Sequence, residues 1–392
     1  MTQTTIPVDL VRRLRDSLQA RQSDFETFLR LLVETESPSG DVTGSRTVVG
    51  LLKNAASELR CVDSIECVDV PDYGQHLVIR AFGKREAREQ TLVVGHTDTV
   101  HERGSVGQRP YRREENRIYG PGVFDMKANG ALMIEVLQAF DSLGLEPACS
   151  VTIALTCDEE VGSISGWPFL EQVASALPTR YALVLEPPAL GGRVKTGRKG
   201  TGIYEIRVEG KAAHAGLEPE KGASAILELA RQTEQLHAIN LSGSGITLNV
   251  GVVRGGTRSN VVAAEAQGEI DVRFSTEAES QEIERILSSL KPIDERTKVF
   301  VSGGINRPPM ERTAAVIELF EKAHAIAADI DFDLGEAQVG GASDGNFLAA
   351  MGIPVLDGLG ISGDGAHAVH EHIEADDIAR RGALIGGLLM SI

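Results

Sequence analysis

The sequence has few cysteines and no long apolar run, and each shortage excludes a class of protein. Its four cysteines show no CxxC spacing, so we expect free thiols in a reducing compartment rather than a disulfide framework or zinc ligands. No uninterrupted apolar run approaches the roughly 20 residues that span a bilayer. The N-terminal stretch also lacks the apolar core of a signal peptide. These observations predict a cytoplasmic protein with no membrane partner.

The sequence also has fewer basic than acidic residues. The 39 lysines and arginines are outnumbered by 56 aspartates and glutamates, which gives a formal net charge of −17 at pH 7. The phosphates of nucleic acid would repel a chain of that charge, so no nucleic-acid partner is expected. Bound divalent cations would offset part of the charge, although an ordinary acidic protein explains most of it.

The order of predicted elements indicates two domains, and 392 residues are long for a single one. In the first half, helices alternate with strands, as they do in an α/β layer structure. The pattern predicts helices over 8–34, 45–58, 127–143 and 166–176, and strands over 64–70, 76–81, 91–95, 150–156 and 181–185.

A different order of elements begins near residue 194. Strands over 201–209, 246–254, 261–274 and 298–302 and helices over 223–237 and 276–290 follow the order β-α-β-β-α-β. That order is the ferredoxin-like plan, with one open sheet face. The α/β pattern resumes after residue 307 with a helix over 314–328. We therefore expect an α/β domain (1–195) that is interrupted by a smaller domain (196–307) and completed by residues 308–392.

Several motifs place ligand-type side chains just beyond strand ends or in loops, where α/β sheets bind their ligands. They are His96 and Asp98 in GHTDTV, Asp125 in GPGVFDMKANG, Asp158, Glu159 and Glu160 in CDEEVGS, Glu186 in LVLEP, and His367, His370 and His372 in GAHAVHEHI. Singly, each has an ordinary alternative: a solvated turn, an N-cap, a structural histidine or a polar loop.

As a set, these side chains indicate a metal site. Imidazole and carboxylate groups together suit zinc or related divalent ions. One shared carboxylate would let five side chains hold a pair of ions. In CDEEVGS, one of Glu159 and Glu160 can then be a ligand while the other remains a general base toward water.

These motifs, together with GKAAHAG, follow the order found in the M20 family of zinc metallopeptidases, and the chain most closely resembles the family's glutamate carboxypeptidase-like branch. The resemblance spans nearly the whole sequence, and six motifs in order are far more specific than any one of them. It implies an α/β fold of the zinc-exopeptidase type, with helices flanking a mixed sheet. It also implies that the inserted ferredoxin-like α+β domain serves dimerisation and acts as a lid.

The resemblance implies a ligand set for two zinc ions, for which cobalt or manganese are possible substitutes. His96 and Glu186 would bind the first ion, Glu160 and His367 would bind the second, and Asp125 would bridge the two. The peptide bond that follows Asp125 is expected to be cis.

Two further roles come from the same resemblance. Glu159 would be the general base, and Asp98 would be the acid that orients His96. His367 is preferred to the two later histidines of its motif because the family's ligand histidine lies shortly before a glutamate, here Glu371.

Substrate-binding residues are expected mainly in the inserted domain. The resemblance implies that His214 reaches the partner subunit's active site in a homodimer and polarises the scissile carbonyl. Arg307 resembles an arginine that grips a substrate carboxylate, although Arg258 is an alternative. The remaining candidates are Asn260 in GGTRSN, and Gly341 and Ser343 in GGASDGNF, whose alternative is a simple turn.

The expected function is hydrolysis of an amide bond next to a carboxylate-bearing amino acid, in a small peptide or N-acyl amino acid. The alternative is an N-acyl-amino-acid deacylase, of the aminoacylase or acetylornithine deacetylase type. Glu186 favours a carboxypeptidase or deacylase, because aminopeptidases and dipeptidases of the family usually carry aspartate there. A remote alternative is an inactive metal-binding scaffold protein, which would have lost the base or the ligands.

Overall fold

The computed structural model describes residues 8–83, 89–241, 243 and 245–392. The start of the N-terminal stretch considered as a signal peptide lies outside these residues. The chain divides into two compact units: unit 1 runs to Thr196 and also contains Arg312–Val339 and Ser343–Ile392, and unit 2 contains Gly197–Glu311 and Gly340–Ala342. The inserted segment thus ends at Glu311, beyond the expected residue 307. Among the described residues, no helix is long and apolar enough to cross a membrane.

The helices and strands are numbered along the chain. The helices are α1 (Val8–Ala20), α2 (Gln22–Glu34), α3 (Val42–Ser57), α4 (Ser105–Gln108), α5 (Ala128–Leu143), α6 (Gly166–Ala176), α7 (Ala225–His237), α8 (Glu277–Ser288), α9 (Ala314–Ala328), α10 (Gly345–Ala350) and α11 (Ile378–Ser391). The strands are β1 (Val62–Val70), β2 (Gly74–Ala81), β3 (Gln90–His96), β4 (Arg112–Glu114), β5 (Arg117–Tyr119), β6 (Ser150–Thr156), β7 (Thr179–Val184), β8 (Val194–Arg198), β9 (Gly200–Glu209), β10 (Thr247–Gly255), β11 (Glu265–Phe274), β12 (Lys298–Arg307), β13 (Glu336–Val339), β14 (Val355–Leu356), β15 (Gly363–Asp364) and β16 (His372–Glu374).

The main sheet of unit 1 is mixed and has the strand order β1-β2-β6-β3-β7-β14. Strands β1, β2 and β6 pair antiparallel, whereas β6, β3, β7 and β14 run parallel. Every residue of β3 and β6 is buried, which explains why their sequences are nearly continuous apolar runs. Helices pack against this sheet, so the predicted fold class is confirmed.

The parallel strands determine where the candidate ligands meet. Their carboxyl ends lie at one edge of the sheet, and β3 lies between β6 and β7. His96 is the last residue of β3 and pairs in register with Thr156, the last residue of β6. The acidic motif follows β6, and Glu186 follows β7 by two residues. His96 therefore has carboxylates on both sides.

A second, small sheet brings a distant loop to the same place. It has the order β15-β16-β5-β4, and His372 of β16 pairs with Tyr119 of β5. This pairing places the loop that contains His367 beside the turn that contains Asp125. This sheet could not be predicted from the sequence, because strands of two or three residues have no measurable period.

Unit 2 has a four-stranded antiparallel sheet of order β10-β11-β9-β12, with α7 and α8 packed against it. Burial alternates along β9, where Tyr204, Ile206 and Val208 contribute to the core. The opposite face is open, and Ile203 is 61% exposed there. The ferredoxin-like order and the open face agree with the sequence pattern.

Two predicted elements differ from the structure. The single helix expected over 8–34 is two helices that separate at Arg21, because α1 packs mainly on α11 whereas α2 packs on α5. The strand expected over 298–302 continues to Arg307, since it pairs with β9 along its whole length. Arg307 therefore ends a strand and does not lie in a loop.

A buried ion pair anchors the last helix of unit 1. Arg381 is fully buried in α11, and its Nε donates to Asp377 Oδ2 at 2.9 Å. Its Nη2 donates to the carbonyl of Gly192 and to Ser362 Oγ. Burial alone would raise the pKa of Asp377, but Arg381 and hydrogen bonds from Ser362 lower it below its usual value. The pair thus joins α11 to the chain that follows Glu186.

We expect Arg381→Met to lower the free energy of unfolding of unit 1 by no more than about 3–5 kcal/mol, the cost of removing one partner of a buried pair. Arg380, whose Nε lies 3.3 Å from Asp377 Oδ1, would still offset part of the charge of Asp377. Urea denaturation followed by the fluorescence of Trp167, the only tryptophan and a residue of α6, measures this change. The double variant D377N/R381M should recover most of the loss. A loss equal to the sum of the single variants would contradict the pairing.

The same pair predicts how stability depends on pH. The pKa of Asp377 is lower in the folded than in the unfolded chain, so its contribution is present above the unfolded value of about 3.9. It is lost as the pH falls through the lower, folded value. D377N should remove this part of the acid sensitivity, and an unchanged acid-denaturation curve would contradict the assignment.

Candidate metal centre

The first cluster of ligand-type side chains consists of His96, Asp125 and Glu186. One ligand atom from each lies within 4.8 Å of the others. His96 Nε2 is 3.1 Å from Asp125 Oδ1 and 3.6 Å from Glu186 Oε1. The three groups converge because β3 and β7 are neighbours and the Asp125 turn lies beside their ends.

The ring of His96 is fixed in one orientation. Its Nδ1 lies 3.0 Å from the carbonyl oxygen of Asp98 and 3.4 Å from Asp98 Oδ1, so Nδ1 carries a proton and donates it. Ser39 Oγ donates to Asp98 Oδ2 and holds that carboxylate in place. The lone pair of Nε2 then faces the two other carboxylates. Metal-binding histidines in proteins are commonly oriented in this way.

His96 is strongly coupled to its acidic neighbours. Burial would lower the pKa of His96, but hydrogen bonds to Asp125 and Asp98 raise it well above its usual value. Burial would likewise raise the pKa of Asp125, and hydrogen bonds from His367 and His96 hold it well below the usual range. The site therefore attracts positive charge at Nε2, whether a proton or a cation.

Asp125 lies in an irregular turn, Val123–Lys127, which leads into α5. The helical conformation is interrupted at Asp125 (φ −118°, ψ 90°) and Met126 (φ −139°, ψ 36°), and the peptide bond between them is cis, as expected. The side chain of Met126 packs under His96, whose N–H lies 3.3 Å from its sulfur. Gly95 leaves room for this contact, because a Cβ there would lie 2.4 Å from Met126 Cε.

The second cluster consists of Asp125, Glu160 and His367, again with ligand atoms within 4.8 Å. His367 Nε2 lies 3.1 Å from Glu160 Oε2 and 3.4 Å from Asp125 Oδ2. His367 has a left-handed backbone (φ +63°), a conformation that few non-glycine residues adopt, although histidine does so more often than most. Asp125 is shared, with one oxygen toward each cluster.

The chemistry of the second cluster fits a cation. Burial raises the pKa of Glu160 to about 8; His96 opposes this shift, and the charges of Asp125 and Glu159 add to it. Glu160 Oε1 is buried and has no hydrogen-bond partner among the described residues. A buried carboxylate oxygen without a partner is costly, and a divalent cation would satisfy it.

The three acidic residues of CDEEVGS differ in their surroundings. Asp158 is fully buried, and its carboxylate accepts from Ser165 N, Ser165 Oγ and Gly166 N at the start of α6. It is therefore a structural residue. Glu159 and Glu160 follow in a short 3-10 turn, with their N–H groups donating to the Asp98 carboxylate, both at 3.2 Å.

The later histidines of the C-terminal motif lie elsewhere. His372 Nδ1 lies 3.0 Å from the carbonyl of His370, and its Nε2 lies 3.5 Å from Glu374. Its ring also packs against Tyr119. Of the three histidines, His367 is the one that joins a ligand cluster within the part of the chain that the structure describes.

The candidate substrate-binding residues of unit 2 differ in solvent exposure and in hydrogen bonding. His214 is exposed, and its Nδ1 accepts from the N–H groups of Gly216 and Leu217, so the neutral ring carries its proton on Nε2. Asn260 is exposed beside it, with its carbonyl accepting from Ala215 N. The side chain of Arg307 is buried, whereas Arg258 is exposed and lines a surface cleft of unit 2.

The two candidates in GGASDGNF differ. Gly341 is exposed, and its carbonyl accepts from Arg198 Nη1 within unit 2. Ser343 is fully buried, and its hydroxyl donates to Asp357 Oδ2 at 2.6 Å and accepts from Gly345 N. The hydroxyl of Ser343 is therefore engaged inside unit 1, and the lining of a substrate pocket by this loop stays a prediction.

Sequence reasoning missed buried residues that support the candidate ligands. Asp344 accepts from Thr156 Oγ1 at 2.8 Å and from Ser163 Oγ, and so joins the two ends of the acidic loop. Lys127 Nζ donates to the carbonyls of Leu32 and Thr35 and ties the Asp125 turn to the end of α2. Asp344 and Lys127 lie within the motifs GGASDGNF and GPGVFDMKANG, so the sequence did contain a signal for them. Neither is at a ligand position of its motif, which is why the motifs did not identify them.

Comparisons with known sequences identify relatives that match most of this chain. Carboxypeptidase G2 of a Pseudomonas species (strain RS-16) is 27% identical over 371 residues, which cover 93% of this chain and 88% of the relative. A succinyl-diaminopimelate desuccinylase of Pseudoalteromonas atlantica is 28% identical over 321 residues, which cover 76% of this chain and 82% of the relative.

Solved structures share the fold. The aminopeptidase PepT of Bacillus cereus superposes with a TM-score of 0.80 at 22% identity, covering 94% of this chain and 98% of that one. The YXEP protein of Bacillus subtilis, described as a dinuclear metal-binding peptidase, has a TM-score of 0.69 at 15% identity, with 95% and 100% covered. Residues 92–391 match the family described as peptidase family M20/M25/M40. The chain therefore belongs to this family of metallohydrolases.

Proposed function

We propose that this enzyme hydrolyses an amide bond next to a carboxylate-bearing amino acid, as a glutamate carboxypeptidase does, with two divalent cations and zinc as the preferred ion. The observation that carries the proposal is the sharing of Asp125 between two ligand clusters. His96 and Glu186 would hold one ion, Glu160 and His367 the other, with Asp125 between them. Three carboxylates and two imidazoles suit zinc.

The ions, when bound, would activate water and polarise the substrate carbonyl. Glu159 lies in the same turn as Glu160, and its charge acts on the carboxyl group of Glu160, so we assign Glu159 as the general base. It would accept the proton of the attacking water and later deliver it to the leaving amine. Asp98 would keep the proton on Nδ1 of His96, so that Nε2 remains a ligand throughout.

The proposed substrate class rests on sequence similarity and on the identity of Glu186. The relatives include a carboxypeptidase and desuccinylases, which act on different amide substrates. An N-acyl-amino-acid deacylase is therefore the second candidate. Glu186, where the resemblance implies aspartate in aminopeptidases and dipeptidases, is compatible with both candidates. We favour the carboxypeptidase because that relative is matched over 93% of this chain, compared with 76% for the desuccinylase of Pseudoalteromonas atlantica.

The base is tested by Glu159→Gln, which removes a proton acceptor and keeps the size of the side chain. We expect the zinc-loaded enzyme to release glutamate from N-acetylglutamate and from a peptide that ends in glutamate. The variant should lower kcat by about 10²–10⁴-fold, the usual contribution of a general base. It should still bind two zinc ions per chain, measured by metal analysis after dialysis.

Glu171→Gln is the matched control, since Glu171 is exposed on α6 and the charge change is the same. Release of an amino acid from N-acyl substrates, including N-acetylglutamate, without release of glutamate from the peptide would favour the deacylase. Full activity in Glu159→Gln would reject the assigned base.

Carboxylate binding is tested by Arg307→Ala with two substrates, N-acetylglutamate and its α-amide. Loss of the guanidinium fork should raise KM for the acid by about 10–100-fold and change KM for the amide little. Arg307→Lys keeps the charge and should restore part of the affinity.

Arg258→Ala serves as the comparison for this test. If that variant raises KM for the acid while Arg307→Ala does not, Arg258 is the carboxylate ligand. An unchanged KM in both variants would reject an arginine grip on the substrate.

We also propose that unit 2 is the dimerisation and lid domain that the resemblance implies, and that a second copy of the chain pairs along β10. This strand is an edge of the sheet, and Val253 is 57% exposed on it. Ile226 and Leu227 of α7 are exposed apolar side chains of the same unit. An uncovered edge strand with apolar side chains is a common site of chain pairing. His214 would then donate its Nε2–H to a carbonyl oxygen in the partner subunit's active site.

The dimer is tested by Val253→Lys, because a charge on the pairing edge should oppose association. Light scattering after size exclusion should report a dimer for the wild type and a monomer for the variant. Ile203→Lys places the same change on the open face of the central strand β9 and should leave the dimer intact. A monomeric wild type would contradict the proposal, and dissociation by Ile203→Lys alone would place the interface on the sheet face.

A further inference from the structure

Glu371 is a buried glutamate whose carboxylate contacts three backbone N–H groups and one imidazole. Its Oε1 accepts from the backbone N–H groups of Phe124 and Asp125, both at 2.9 Å. Its Oε2 accepts from Gly122 N at 2.8 Å and lies 2.6 Å from His101 Nε2. The residue is 2% exposed, so these four groups replace its hydration.

These contacts connect two segments that are far apart in the chain. Gly122, Phe124 and Asp125 form the turn whose carboxylate is shared by both ligand clusters. Glu371 itself lies four residues after His367, in the loop that ends at β16. A single carboxylate thus ties the shared ligand to the loop of the second cluster's histidine.

We propose that Glu371 is a positioning residue that sets the place of Asp125 between the two cations. Asp125 must present Oδ1 toward His96 and Oδ2 toward His367, and the two contacts measure 3.1 and 3.4 Å. A small rotation of the turn would move one oxygen away from its cluster. By fixing the N–H of Asp125 and two neighbouring N–H groups, Glu371 opposes that rotation. This inference rests on the proposed function only for the binding of two cations.

Glu371 could also act through its contact with His101, and this effect has to be distinguished from the effect through the backbone N–H groups. His101 Nδ1 lies 3.3 Å from Arg109 Nη2, and Arg109 Nη1 lies 3.4 Å from the carbonyl of Ala368. The imidazole therefore supports Glu371 from the side away from the turn. If positioning works through the backbone N–H groups, removal of the imidazole should matter much less than removal of the carboxylate.

The test compares Glu371→Gln and Glu371→Ala in the full-length protein, freed of metal and titrated with Co²⁺. Calorimetry gives affinity and stoichiometry, and the visible absorption of bound Co²⁺ reports ligand geometry independently of turnover. We expect Glu371→Ala to weaken cobalt binding by about 10–100-fold and to alter the spectrum. Glu371→Gln keeps one acceptor oxygen and loses the other, so its effect should be intermediate.

Two controls accompany the series. Glu374→Gln removes a charge three residues away that pairs with Arg117 and Asn116 rather than with the turn, and it should bind cobalt as the wild type does. His101→Ala should weaken binding by less than Glu371→Gln. Circular dichroism verifies folding, and if the alanine variant fails to fold, the glutamine variant carries the test.

Three outcomes would contradict the positioning role of Glu371, and the experiment distinguishes them from one another. Wild-type cobalt affinity and spectrum in Glu371→Ala, with only a lower melting temperature, would reduce Glu371 to a structural role. A loss in His101→Ala as large as in Glu371→Ala would place the effect in the imidazole instead of the backbone. Failure of the wild type itself to bind cobalt would overturn the metal centre of the proposed function and this inference with it.

Discussion

Repulsion among buried carboxylates is the constraint on which the rest of this structure depends. Asp125, Glu160 and Glu186 converge with few compensating charges, and burial raises the pKa of Glu160 to about 8. A fold that concentrates acids at a sheet edge is stable only if cations or donors neutralise them. Two imidazoles provide part of that compensation. Glu160 Oε1 has no hydrogen-bond partner within the part of the chain that the structure describes, which indicates where more compensation is required.

The protein stabilises these acids indirectly, by holding the backbone that carries them. Asp158 caps α6, Asp344 joins the ends of the acidic loop, and Glu371 accepts three N–H groups of the Asp125 turn. Both oxygens of each supporting carboxylate accept a hydrogen bond, whereas Glu160 Oε1 has no hydrogen-bond partner among the described residues. The unsatisfied oxygen of Glu160 among the described residues is therefore the feature that sets this candidate ligand apart from the supporting acids.

Much of the fold could be predicted from periodicity. The apolar runs of β3 and β6 and the alternation of β9 indicated an α/β layer structure and a ferredoxin-like unit, because burial on one or two faces leaves a period in the sequence. That the main sheet is mixed was implied by the family resemblance. The break at Arg21 and the small sheet that contains β16 could not be predicted. The first depends on which helices the two halves pack against, and the second consists of strands too short to show a period.

The sequence by itself determined the kinds of side chain available and their order, from which the family and the candidate ligands followed. Only the tertiary structure decided which of them meet. His367 rather than His370 or His372 reaches Asp125, Ser343 points into unit 1, and Glu371 joins two segments about 250 residues apart. Such proximity arises from strand order and loop register, which are properties of the packed chain and leave no local pattern.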